Sequence, residues 1–76
     1  MTGGKRLIAL TQIGDARIST VLLAFTCPPE WETMVFGGKF DKQAERYLSL
    51  EDAQYGHDAW VGKVTRDQLP REKLEL

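Results

Sequence analysis

The sequence predicts an α+β fold: a three- to four-stranded antiparallel sheet with one C-terminal α-helix packed on one face. Three observations carry that reading. Short apolar or alternating segments bounded by turn residues fill the first two thirds of the chain, as strands do. The one capping-box signature, Ser49-Leu50-Glu51-Asp52, comes late and opens a stretch whose apolar residues recur at helical spacing. The length of 76 residues, 42% hydrophobic and 28% charged, suits a single domain with a thin core. Residues 6–69 are expected to form the ordered core, between mobile ends.

The first strand is expected over Leu7 to Ile13, L-I-A-L-T-Q-I, which is aliphatic and too short for a convincing helix. Gly14-Asp15 then makes a hairpin turn, since glycine accepts positive φ without a Cβ clash. Arg17 to Thr26 passes from polar alternation into an unbroken apolar run, the pattern of a central strand covered on both faces over its second half. Val21, Leu23 and Phe25 are expected to face the helix. Cys27-Pro28-Pro29 cannot continue a central ladder, because two of its residues lack an amide donor. Trp31 to Phe36 alternates again, with Glu32, Met34 and Phe36 on one face and Trp31, Thr33 and Val35 on the other. This reads as an inner or partly covered strand, with Met34 and Phe36 assigned to the core, and Gly37-Gly38 ends it in a turn. Glu45 to Leu48 supplies a short fourth strand in which Tyr47 points opposite to Arg46.

Ser49 is the helix N-cap, accepting a bond from the amide of Asp52 while the Asp52 side chain reaches back. Leu50, Ala53, His57, Trp60, Val61 and Val64 fall within a stripe about 100° wide, which is the buried face. Acidic residues at the start and Lys63 and Arg66 near the end suit the helix dipole. The helix ends between Thr65 and Leu69, before Pro70, and Arg71 to Leu76 read as a charged, mobile tail.

Composition excludes several functions. Ten Lys and Arg against eleven Asp and Glu give a net charge of -1, so no cationic field favours direct binding of nucleic acid. The longest apolar run, Val21 to Phe25, is far short of the roughly 20 residues that span a bilayer. With no signal-peptide core either, the expected location is the cytoplasm. A single cysteine and a single histidine cannot build a Cys/His zinc site, and neither a metal nor a cofactor is expected.

No constellation of residues identifies a reaction, and no enzymatic activity is expected. His57 lies in the middle of the apolar stripe, where a general base or pH sensor is conceivable, but packing with a bond to Tyr, Thr or a carboxylate is the preferred account. Cys27 precedes two prolines and has no helix N-terminus to lower its pKa, which argues against a Cys27-His57 nucleophile pair. Gly37-Gly38-Lys39 lacks phosphate-loop spacing. Glu30, Glu32, Asp41 and Glu45 match no metal-loop pattern and read as solvated charges. Tyr55 falls about 160° from the centre of the buried stripe and is therefore exposed beside Glu51, Asp52 and Asp58. An aromatic among carboxylates points to a protein partner, because acidic neighbours repel phosphate. The rival surface is Lys39, Lys42 and Arg46 around the fourth strand, which would serve a small nucleic-acid-binding or regulatory protein.

The segments I-S-T-V-L-L at 18–23, W-E-T-M-V-F-G-G at 31–38, E-R-Y-L-S at 45–49 and E-D-A-Q-Y-G-H-D-A-W-V at 51–61 together resemble a family of short bacteriophage and prophage proteins. In that family an S-T-V-F-L strand, an F-E-T-M-V-F-G-G segment and a helix bearing E-A-x-x-G-H recur in this order. The chain departs from the pattern at Leu22, at Trp31 and in a shortened loop over residues 26–30. The resemblance implies a phage origin. Small phage accessory proteins often block a host enzyme or defence complex stoichiometrically. The expected function is thus that of a non-enzymatic inhibitor of a host protein or ribonucleoprotein defence complex, of the anti-CRISPR type, acting as a monomer or homodimer.

Overall fold

A computed structural model describes residues 4–69. Strands β1 (Lys5–Ile13), β2 (Ala16–Leu23), β3 (Glu30–Phe36) and β4 (Ala44–Tyr47) precede helix α1 (Leu50–Gln68). Each strand pairs antiparallel with its chain neighbour, giving an open sheet in the order β1-β2-β3-β4 with α1 packed against it. This is the expected α+β fold with all four strands present. β1 begins at Lys5, two residues ahead of the expected Leu7, and it bulges at Ile8, which is left over between the Leu7-Val21 and Ala9-Thr20 pairs. The expected mobile ends lie largely outside the described residues.

The turns follow their residues. Gly14, at φ 56°, makes the two-residue hairpin between β1 and β2. The turn at 37–43 opens with Gly37 at φ 89°, whose missing Cβ leaves room for the Asp15 carbonyl. It closes in a bulge, where Lys42 N–H donates to Val35 O at 2.7 Å and Val35 N–H donates to Gln43 O at 2.9 Å. Lys42 takes the left-handed conformation (φ 73°) that this bulge usually gives to glycine. Ser49 caps α1, accepting from the Asp52 amide at 3.0 Å. No reciprocal bond from the Asp52 side chain forms. The helix stops at Gln68, within the expected window.

The helix covers the face of the sheet opposite to the one expected. Ile18, Thr20, Thr33 and Val35 point at α1 and are buried. Of the three residues expected to face the helix, Leu23 is buried at the end of β2, Val21 is half-buried on the other face, and Phe25 lies beyond the end of β2 and is 60% exposed. Ala16, Ile18 and Val35 pack on Trp60 and Val64, with Phe40 edge-on to Trp60 at 5.8 Å between ring centroids. Lys63 extends over both rings. The other face is open. Val21 and Met34 are half-buried there, and Leu7, Leu10 and Phe36 are exposed, so β2 is central but covered on one side only. Phe36 is not core; it lies under the Arg17 guanidinium, 5.9 Å from the ring centroid. Leu50, at the start of the predicted stripe, is exposed, while Ala53, His57, Trp60 and Val64 are buried as the spacing requires.

Candidate functional site

His57 shows why the sheet turns this face to the helix. At 5% exposure its ring needs polar partners. Threonines provide them: Nε2 lies 2.9 Å from Thr11 Oγ1 and Nδ1 lies 2.7 Å from Thr20 Oγ1. Thr20 Oγ1 is in turn 2.5 Å from Thr33 Oγ1. A neutral imidazole donates from one nitrogen and accepts at the other, and rotatable hydroxyls satisfy both. Burial lowers the pKa of His57, an effect only partly opposed by the Asp58 charge. The histidine is a structural hub within the polar middle of the core. Cys27 sits exposed in the loop after β2 and takes no part in that network.

A second polar cluster joins β4 to the helix. Glu45 Oε1 accepts from Tyr47 Oη at 2.8 Å and from Trp60 Nε1 at 3.1 Å. Burial and the adjacent Glu45 carboxylate push the Tyr47 pKa up to about 12, so this phenol stays protonated and donating at neutral pH. Its ring edge lies against the helix backbone at Gly56, where a Cβ would sit 2.6 Å from Tyr47 Cε1. The glycine in mid-helix is the signal in the sequence that marked this contact. Sequence reasoning missed it, and with it the groove that the contact shapes.

The acidic residues singled out from the sequence come together. Glu51, Tyr55 and Asp58 follow each other at helical spacing along the exposed ridge of α1 and, with Gln54, border a shallow depression of about 310 Å³. Tyr55 is 72% exposed, as its position on the helix required. On its other side lies a wider groove of about 510 Å³ between α1 and β4, reached by Asp52 and Tyr55. Tyr55 therefore stands as a wall between two depressions.

The basic residues of the rival surface do not converge. Lys39 is 3.9 Å from Asp67 and sits over Phe40 on the helix side of the sheet. Arg46 points to the open face, where Glu30 and Glu32 meet it at 3.2 and 3.6 Å. Lys42 serves the bulge. Among the described residues no group of three or more His, Cys, Asp and Glu side chains is placed to hold a metal ion, and no helix is long and apolar enough to cross a membrane. Comparison of the chain with family models, curated proteins and solved structures finds no match.

Proposed function

We propose that this protein is a phage-encoded, non-enzymatic inhibitor that binds a host defence complex of the anti-CRISPR type through the acidic ridge of α1. The observation that carries the reading is the alignment of Glu51, Tyr55 and Asp58 on one exposed ridge with Asp52 beside it. Carboxylates spread over about 10 Å of rigid helix present negative charge to a basic channel that otherwise holds a phosphate backbone. Tyr55 supplies the buried aromatic anchor that such an interface needs, and the surrounding charge sets the encounter rate and orientation.

The balanced net charge and the phage-like sequence pattern support the same reading. The test is phage or plasmid survival in a CRISPR-bearing host expressing the chain, compared with the Glu51→Lys/Asp58→Lys double variant and with Tyr55→Ala. These side chains lie on the surface, so the variants should melt like the parent and lose protection. Protection that persists in all variants, or is absent from the parent, overturns the proposal.

A further inference from the structure

β4 is an edge of the sheet, and among the described residues no strand pairs with its outer side, while α1 packs against it. The ladder determines which backbone groups that edge offers. Val35 N–H donates to Gln43 O, which makes residues 35 and 43 a hydrogen-bonded pair. Alternation along antiparallel strands then makes Thr33-Glu45 and Trp31-Tyr47 hydrogen-bonded pairs as well. Ala44 and Arg46 consequently turn their N–H and C=O groups away from β3, toward the free edge. Beside that edge lies the 510 Å³ groove, with Tyr47 and Leu48 on the strand side and Asp52, Tyr55, Gly56 and Ala59 on the helix side.

We infer that this groove binds an extended segment of a partner protein as a fifth strand, with Lys or Arg at alternate positions. Strand side chains alternate between faces, so residues of the incoming segment opposite Glu45 and Tyr47 point to the helix side and enter the groove. There they meet the carboxylates of Glu45 and Asp52 and the face of Tyr55, which suits a long cationic side chain by charge and by cation-π contact. Arg46 also borders the groove, but its guanidinium is paired with Glu30 and Glu32, whose carboxylates offset its charge. Ala59 and Gly56 keep the helix wall low. The outward backbone groups of Ala44 and Arg46 supply affinity, and the alternate cations supply selectivity. The inference shares Asp52, Tyr55 and the sign of the partner's charge with the proposed function, but it rests on the β4 edge and not on Glu51 and Asp58.

The test uses a short fluorescent peptide alternating Thr with Arg and Lys, and a control peptide with Glu at the charged positions. Polarisation should show the basic peptide binding at least about tenfold more tightly. Amide exchange by NMR should slow at Arg46 and Ala44 in its presence. Ala59→Arg fills the groove and Arg46→Pro removes one outward donor, a substitution that edge strands tolerate. Each should weaken binding about tenfold or more while circular dichroism shows a folded chain. Equal binding of the two peptides, no binding of either, or binding that leaves Arg46 exchange unchanged and survives Ala59→Arg overturns strand addition. The Glu51→Lys/Asp58→Lys variant separates the two readings. Lost protection with peptide binding changed by less than about threefold keeps both, and retained protection with intact peptide binding removes the ridge but keeps the groove.

Discussion

Gly56→Ala should destabilise the protein even though the same change in an open helix stabilises it. In an exposed helix interior, alanine in place of glycine contributes about 0.8–1 kcal/mol of stability. At Gly56 the added methyl runs into the Tyr47 hydroxyl and ring edge. Tyr47 must then swing out, abandoning its 2.8 Å bond to Glu45, worth about 1 kcal/mol, together with part of its packed ring area. Overpacking of this kind costs about 1–3 kcal/mol, which exceeds the propensity gain, and a net loss of about 1–2 kcal/mol follows. For a domain of this size that lowers Tm by about 5–15 °C. The assay is thermal and urea unfolding followed by circular dichroism, repeated in a Tyr47→Ala background. There the obstruction is gone, and Gly56→Ala should stabilise by about 0.5–1 kcal/mol. The change of sign is a coupling of about 2 kcal/mol, well above the non-additivity of independent sites. A Gly56→Ala protein that melts above the parent refutes the assigned contact.

Other substitutions probe the remaining supports. His57 has a lowered pKa in the folded state, so the unfolded chain binds its proton first. Stability from this group is complete above the unfolded value of about 6.5 and is lost as pH falls toward the folded value, which urea titrations between pH 7.5 and 5 will show as a falling midpoint. A Thr20→Val variant should lower the midpoint at pH 7.5 as well, because it strands a His57 nitrogen. Trp60→Ala should cost about 3–5 kcal/mol, enough to unfold much of a domain this small, and intact near-ultraviolet dichroism in that variant removes the helix packing described above. Lys42→Gly should raise stability by about 0.5–1 kcal/mol by relieving the left-handed lysine, with no change in peptide binding at the β4 edge.

Much of the architecture was legible because turns and caps are local chemistry. Gly14-Asp15, Gly37-Gly38 and Ser49 each specify a reversal or a helix start from a few neighbouring residues, and the structure places all of them as read. The buried face of β2 was misread for a definable reason. Hydrophobicity alone favours Val21 and Phe25, yet the helix presents His57, and a buried imidazole selects the threonines Thr20 and Thr33 over larger apolar side chains. Pairing of polar groups across elements thus overrode the apolar pattern within one strand. The ridge of Glu51, Tyr55 and Asp58 followed from helical periodicity. The groove beside it did not, because its depth depends on how closely β4 approaches the helix, and that distance is set by one glycine and one tyrosine.

The strictly sequential order of the strands also has a kinetic consequence. Each strand finds its partner one connection away, so the sheet can zip from its turns with little loop entropy lost at any step. Among the described residues, the docking of α1 joins the most distant parts of the chain, through His57 to Thr11 and through the Gln68 amide to the Ile13 carbonyl at 2.9 Å. Closure of that last clasp, linking residues 55 positions apart, is the natural candidate for the rate-limiting step. Changes along the His57 and Gln68 seam should slow refolding, whereas changes at the outer ridge of α1 should leave its rate alone.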